Sequence, residues 1–381
     1  MTEQINKART DVFLFIAAIV ALVIVASSQF FRHVVRPKRT DISISHSGET
    51  LFGKDILDAL IAEFEEQNPD LRIRLMDDNN ADIVFFEDGE FNGLLSGSAL
   101  ASLGPYIHSE TEARSWAIPL VSFMDIFLYN IDILQAAGSD RPPRTRAELL
   151  AAARAVAAKE TASPLALGLS GEDPLALRRE LYPWIWAAGG NLRQSDARED
   201  GEDITLSRAT TDAIAFFGQL NREDLLSPGS LEQTRAQRLQ EFAAGNVAMM
   251  AASSRDLPLL RRDAEGINFD LTAMPQTAQG KNRLGLSGIY AGISSNCAIP
   301  DEAWTFLAFI AGRKHLLEEA LDAVPGSYPG TFPASYITAD SLYSKAWDIF
   351  EAADIVEYHP ADPLEEETGR IIREKLEEVF E

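Results

Sequence analysis

From residue 41 onward, short β-branched or uniformly apolar runs alternate with longer stretches whose apolar residues recur every third or fourth position. That rhythm predicts strands alternating with helices around a shared sheet. Asp41 to His46 alternates, with Ile42 and Ile44 on one face, and reads as a strand. Ser47 and Gly48 follow as a loop. Asp55 to Glu66 places Ile56, Leu57, Leu60, Ile61 and Phe64 on one stripe, so a helix is expected, stopped by Asn68-Pro69. Leu71 to Met76 and Asp82 to Phe86 give two more strands. The opening is therefore β-α-β, the start of a parallel sheet.

Beyond it, Gly93 to Leu103 predicts a short helix, and Pro119 opens an extended apolar stretch from Leu120 to Asn130. Thr145 is placed to cap a helix from Arg146 to Ala158. Tyr182 to Ala188 is rich in aromatics and ends at Gly189-Gly190. Ala209 to Leu220, Leu231 to Phe242, Pro300 to Ile310 and Ile371 to Phe380 carry helical periodicity, while Leu271 to Met274 and Gly288 to Ser294 read as strands. No repeat and no low-complexity linker divides the chain, which favours two interleaved lobes over two domains in tandem.

Glu241 to Arg255 is the most telling stretch. Phe242 and Ala243 close a helix, and Gly245-Asn246 supplies a left-handed stop. Val247 to Ala252 is apolar throughout, as a strand covered on both faces of a parallel sheet must be. Ser253, Ser254 and Arg255 then sit at the strand's carboxyl end, where open α/β sheets bind ligands, and Asp256 to Arg262 is placed to start a helix.

The N-terminus follows a different rule. Val12 to Phe31 carries no charge over 20 residues, which as a helix rises about 30 Å, the thickness of a bilayer core. As a cleaved signal it has Lys7 and Arg9 ahead and Ala26, Ser27 and Ser28 as a cleavage site; as an anchor its length exceeds the usual signal core of about 7–15 residues. The length therefore predicts an uncleaved anchor. Arg32, Arg36, Lys38 and Arg39 follow the span, so the positive-inside bias leans toward a cytoplasmic main domain. Cys297, the single cysteine, lies far from the span, which removes lipid attachment there as well as any disulfide framework.

Length changes little: 381 residues suit two domains, and 46% apolar content suits a sizeable core. Charge changes more. A net −24 argues against nucleic acid, and the acidic tail around Glu365 to Glu381 reads as the solvated face of a terminal helix. Enzyme signatures are missing: no nucleophile elbow, phosphate loop or dinucleotide fingerprint occurs, and His33, His46, His108, His315 and His359 lack ligand spacing. Carboxylates are plentiful enough that a carbohydrate-active enzyme stays an alternative.

The run Phe242-x-x-Gly245-x-x-Ala248-Met249 resembles the signature of family 1 extracellular solute-binding proteins, the maltose-binding-protein-like receptors of ABC importers. Other matches follow in order: Phe64 with Asn68-Pro69, Ala81-Asp82-Ile83-Val84, Pro119 with Tyr129-Asn130, and Pro142-Pro143 with Thr145 and Glu148-Leu149. Gly189-Gly190, Met274-Pro275, Gly288 and Asp301-x-Ala303-Trp304-x-Phe306-Leu307 complete the series. Three departures stand out. Only Asp77 to Ala81 joins two strands between which the family has a helix. Arg146 stands where its pattern has tryptophan, and Ser254-Arg255 replaces the Gly-x-Trp whose ring stacks on sugar.

The resemblance implies an α/β fold of periplasmic-binding-protein type II, two interleaved lobes with a hinge, and the uncharged run adds one N-terminal transmembrane helix ahead of them. Tail 1–11, span 12–31 and linker 32–40 come first; residues 41–117 plus 277–327 form lobe 1, and 118–276 plus 328–381 form lobe 2. It implies an extracytoplasmic monomer, against the positive-inside count, that is no enzyme and needs no cofactor or metal; the span at 12–31 anchors it. Its partners are a small polar solute, a sugar or sugar acid, and ABC permease subunits. A sensor that signals through lobe closure is the alternative.

Candidate ligand-binding residues follow. Ser47 and Gly48 offer backbone N–H groups after the first strand, and Phe86, Glu87 and Asp88 leave another at its carboxyl end. Trp184 and Trp186 form either a stacking platform or core. Ser254 and Arg255 end the apolar strand, Ser287 and Tyr290 occupy a strand near the expected cleft, and Tyr328 lies in the loop Pro325-Gly326-Ser327-Tyr328-Pro329. Arg255 has two readings: a partner for Glu87 or Asp88 across the cleft, or a planar fork for an acidic ligand.

Overall fold

Strand β1 (Thr40–Ser45) pairs in parallel with β2 (Leu71–Met76) on one side and β3 (Ile83–Glu87) on the other, as the β-α-β opening predicts. The computed structural model describes residues 39–76, 80–87, 89–107, 115–170, 176–194, 204–277, 283–313, 341–357 and 364–381. The expected span at 12–31 lies outside them, as do Asp88 and Tyr328. Among the described residues no helix is long and apolar enough to cross a membrane.

The middle of the sheet is built by two long strands. β4 (Ile118–Asn130) has 13 residues, about 40 Å of extended chain. Further strands are β5 (Ser163–Ala166), β6 (Val247–Ser253), β7 (Phe269–Thr272), β8 (Arg283–Ile293) and β9 (Asp354–Glu357). The order is β2-β1-β3-β8-β4-β6-β5, with β7 on β4 and β9 on β8. Ile118 to Met124 of β4 pairs with β8, whereas Asp125 to Tyr129 pairs with β6. β8 returns late in the chain and inserts antiparallel between β3 and β4. The sheet is thus mixed: β6 runs parallel to β5 but antiparallel to β4, which corrects the all-parallel environment expected for it.

Alternation along β4 sorts the cores. Met124, Ile126 and Leu128 join one cluster with Phe242, Met250 and Tyr343, while Phe127 and Tyr129 face another with Trp184, Phe217 and Leu149. A further core joins Ile42, Ile44, Leu60, Phe64 and Phe85 to Phe306, Leu307 and Ile310 of the helix Pro300–Ala311. Residues from opposite ends of the chain therefore share one core. The C-terminal helix Glu365–Phe380 likewise sends Ile372 and Leu376 into the Trp184 core.

Local signals explain most boundaries. Thr145 accepts the Glu148 N–H at 3.1 Å and starts the helix Arg146–Ala157. Gly245, at φ +77°, ends the helix Arg235–Ala243 and turns the chain into β6, which is buried from Val247 to Ala252. Arg146 itself is buried; it donates to the Trp184 carbonyl at 2.5 Å and lies 5.5 Å over the Phe216 ring. Burial lowers its pKa to about 10. An arginine therefore packs among the aromatics where the family pattern carries tryptophan.

Three expectations need correction. Ser47 and Gly48 open a helix, Ser47–Phe52, and are no loop. A Cβ on Gly48 would stand 2.9 Å from the Phe85 ring, so glycine lets that helix lie against β3. The helix predicted at Gly93 runs from Phe91 to Ser96 and stops at Gly97. β8 begins at Arg283, well before Gly288, because Gly285 and Gly288 act as strand residues here.

Candidate functional site

A cleft opens where the sheet passes from its β3–β8 half to its β4–β6 half. β3 delivers Glu87 at its end, β4 passes Phe123 and Asp125, and β8 supplies Gly285, Leu286 and Ser287. The end of β6 adds Ala252 to Asp256 less Ser254, and two short helices, Ala176–Glu180 and Tyr182–Ala187, bring Arg178, Arg179 and Trp186. Arg235 and Arg238 reach it from the helix Arg235–Ala243. The cavity volume is about 40 Å³, room for no more than a few waters.

Hydrogen bonds fix the end of β6. Ser253 Oγ accepts the Arg255 N–H at 3.3 Å, and Asp256 accepts the Ser253 N–H at 2.9 Å, closing a capping box on the turn Ser254–Asp256. Ser254 is fully buried and its Oγ accepts the Met124 N–H at 3.1 Å. It therefore ties β6 to β4 from behind the cleft.

Charge is arranged in two layers. In the deep one, Arg238 pairs with Glu180 at 2.7 Å with both side chains at most 1% exposed, and Arg235 pairs with the buried Asp256. Arg238 also donates to the Ala251 carbonyl. Burial, then the nearby Arg179, Arg238 and Arg255, lowers Arg235 to about 9. Burial pushes the Glu180 carboxyl up, and Arg238 is the main group pulling it back. At the mouth, Glu87 Oε1 lies 2.5 Å from Arg255 Nη1 and Glu87 Oε2 lies 3.6 Å from Arg179 Nη2. These side chains are 21–31% exposed. The Arg255 guanidinium sits 5.0 Å over the Phe123 ring, a cation–π contact that orients its fork.

Four of the sequence candidates line the cleft: Glu87, Trp186, Arg255 and Ser287. Ser254 stands directly behind it. Phe86 points to the opposite face from Glu87 and stacks on Tyr290 at 6.0 Å, in a separate cluster with Phe91 and Leu100. Trp184 is buried in the core against Phe127 and Phe217. Ser47 Oγ donates to the Phe85 carbonyl at 2.7 Å, and Ser47 and Gly48 are not among the residues lining the cleft. Asp88 and Tyr328 lie outside the described residues. Sequence reasoning missed Arg178, Arg179, Arg235, Arg238, Asp125 and Gly285. One signal was present: Arg235 and Arg238 recur at i, i+3 on a helix in a chain of net charge −24. Among the described residues no group of three or more His, Cys, Asp or Glu side chains could hold a metal ion.

Gly285 shapes the wall. A Cβ there would run into the Trp186 ring and stand 2.5 Å from Asp125 Oδ2. Its absence lets the indole lie against β8, with Tyr182 edge-on behind it at 5.8 Å.

Similar proteins fit this architecture. The GacH receptor of Streptomyces glaucescens GLA.O shares the fold at 18% identity and TM-score 0.66, over 90% of this chain and 93% of that one. The cyclic alpha-maltosyl-1,6-maltose binding protein of Arthrobacter globiformis does so at 15% identity and TM-score 0.70, over 90% and 94%. The maltose-bound MalE3 of T. maritima has 14% identity and TM-score 0.67, over 89% and 94%. These likenesses establish the mixed-sheet α/β fold of periplasmic-binding proteins. No curated protein matches the sequence. The family described as bacterial extracellular solute-binding protein matches residues 53–315, well over half of the chain, and the protein belongs to that family.

Proposed function

We propose that the protein captures a small polar solute, a sugar or sugar acid, outside the cytoplasm and delivers it to the permease subunits of an ABC importer. The observation that carries this reading is a cleft set where β4 and β8 leave one half of the sheet and enter the other. Strands that belong to both halves are suited to act as a hinge. In this reading residues 41–117 plus 277–327 move as one lobe and 118–276 plus 328–381 as the other. Support comes from the late helix Pro300–Ala311 sharing a core with β1 and β3, and from the C-terminal helix sharing one with Trp184.

Affinity then comes from burying the solute on closure, with no chemistry asked of the site. The names of the similar proteins, which speak of acarbose, maltose and a cyclic maltosyl-maltose, favour a carbohydrate here. Residues 12–31 anchor the protein at the membrane in this reading, and mass spectrometry of the mature N-terminus checks it: a start near Gln29 overturns the anchor. The functional test is ligand-dependent thermal shift across sugars, sugar acids and amino acids. Stabilisation by one sugar class supports capture, and slow conversion of a bound compound points to an enzyme instead.

A further inference from the structure

The cleft is far more basic than its chain. Five arginines and three carboxylates line it in a protein of net charge −24. The deep arginines Arg235 and Arg238 have buried acidic partners within the same wall. The mouth differs. Arg179 and Arg255 both reach for Glu87, which arrives on β3 from the facing wall, and the three are partly exposed. The cavity these three help to line is about 40 Å³, too small for a sugar. The positive crowding reaches the deep layer, where Arg179 and Arg255, after burial, help to hold the Arg235 pKa down.

We propose that Arg179 and Arg255 form the subsite for a carboxylate on the solute, and that Glu87 is its internal stand-in, leaving when a carboxylated sugar enters. This rests on the solute-capture reading above and narrows it to acidic sugars. A ligand carboxylate would take over both arginine contacts from Glu87, so charge pairing is conserved through the exchange. A neutral sugar cannot make that trade. It either leaves Glu87 in place, where the cleft has no room, or displaces Glu87 and offers neither guanidinium a charge in exchange, and losing a charge partner in a desolvating site is costly. Phe123 holds the Arg255 fork at its angle while the partner changes. The two readings of Arg255 then describe one site in two states.

Isothermal titration of the full chain with matched probes tests this: D-galacturonate against D-galactose, and D-glucuronate against D-glucose. The wild type is expected to bind an acidic member in preference to its neutral twin. Glu87→Gln keeps the shape and removes the competitor, so the acidic probe should bind about tenfold tighter, the worth of two partly exposed pairs. Arg255→Lys keeps the charge and loses the fork, so it should bind the acidic probe at least several-fold more weakly. Thermal unfolding of each variant near the wild-type temperature guards against misfolding. A preference for the neutral sugar, or tighter binding of both twins by Glu87→Gln, overturns the inference while solute capture stands. Failure of both acidic probes to bind also overturns it, and the wider solute panel then decides the capture reading by itself.

Discussion

The two layers of ion pairs around the cleft use the same residue types for different ends. Arg238 and Glu180 are almost wholly buried and come from adjoining helices of one wall; Arg255, Arg179 and Glu87 are partly exposed and meet across the gap. A buried pair must stay paired, because separating it leaves a charge without solvent. An exposed pair can exchange partners at small cost. Burial, more than the pairing itself, therefore decides which arginines build the wall and which remain available to a solute.

The largest effect expected from this contrast is in the deep layer. Glu180→Ala removes the carboxylate that Arg238 holds at 2.7 Å while its guanidinium stays buried beside the Ala251 carbonyl, and should cost about 3–5 kcal/mol of stability. Urea unfolding measures it. Replacing both partners together, Glu180→Leu with Arg238→Met, should recover most of that loss, since an apolar pair avoids the desolvation penalty. A single-variant loss under about 1 kcal/mol would mean that the deep layer is as replaceable as the mouth.

Next in size is Gly285→Ala. The added methyl meets the Trp186 ring and the Asp125 carboxylate, so β8 or the indole must shift, at about 1–3 kcal/mol. Tryptophan emission should shift with it, because Trp186 would leave its place between Tyr182 and the strand. Unchanged emission with full stability would show that the wall has slack.

How much of this could be read from sequence differs between the same layers. Ile42 and Ile44 alternate, Phe64 ends an apolar stripe, and Thr145 caps its helix; each is a local pattern with one structural outcome. β6 was legible for the same reason. The insertion of β8 between β3 and β4 was not, since no local pattern encodes which distant strand will be a neighbour. β5 was missed because four residues, Ser163 to Ala166, are too few to show a period. Arginines on short helices look like solvated faces until tertiary packing turns them toward the cleft, which hid Arg178, Arg179, Arg235 and Arg238. Arg255 stood out only because an apolar strand pointed to it. Phe86 and Glu87 are neighbours in sequence, and only the strand's facing decides that Glu87 enters the cleft.

At the mouth the stability effects should be smaller than in the deep layer. Arg255→Lys is expected to change unfolding free energy by no more than about 0.5 kcal/mol, and Glu87→Gln by no more than about 1.4 kcal/mol, the counterpart of its tenfold gain in acidic-ligand binding. The exchange of a partner between protein and solute is the property the deep pair lacks. A loss of about 3 kcal/mol in Glu87→Gln would place Glu87 with the structural charges and remove the contrast.

The smallest effect lies outside the cleft, in a pair that calibrates both layers. Arg154 forks onto Glu223 at 2.7 and 2.8 Å on the open surface. That pairing, then a hydrogen bond from Gln219, holds the Glu223 carboxyl down at about 2. A carboxylate depressed in the folded state stabilises the protein above its unfolded value, near 4.5, and loses that contribution as pH falls toward 2. Because the pair is solvent-exposed, screening keeps the contribution small. Arg154→Ala should therefore lower the melting temperature slightly at pH 7, leave it unchanged near pH 2, flatten the fall between pH 4.5 and 2 by that same small amount, and lose its effect in high salt. A salt-resistant loss at pH 7 as large as that of Glu180→Ala would break the rule that burial decides what an ion pair is for.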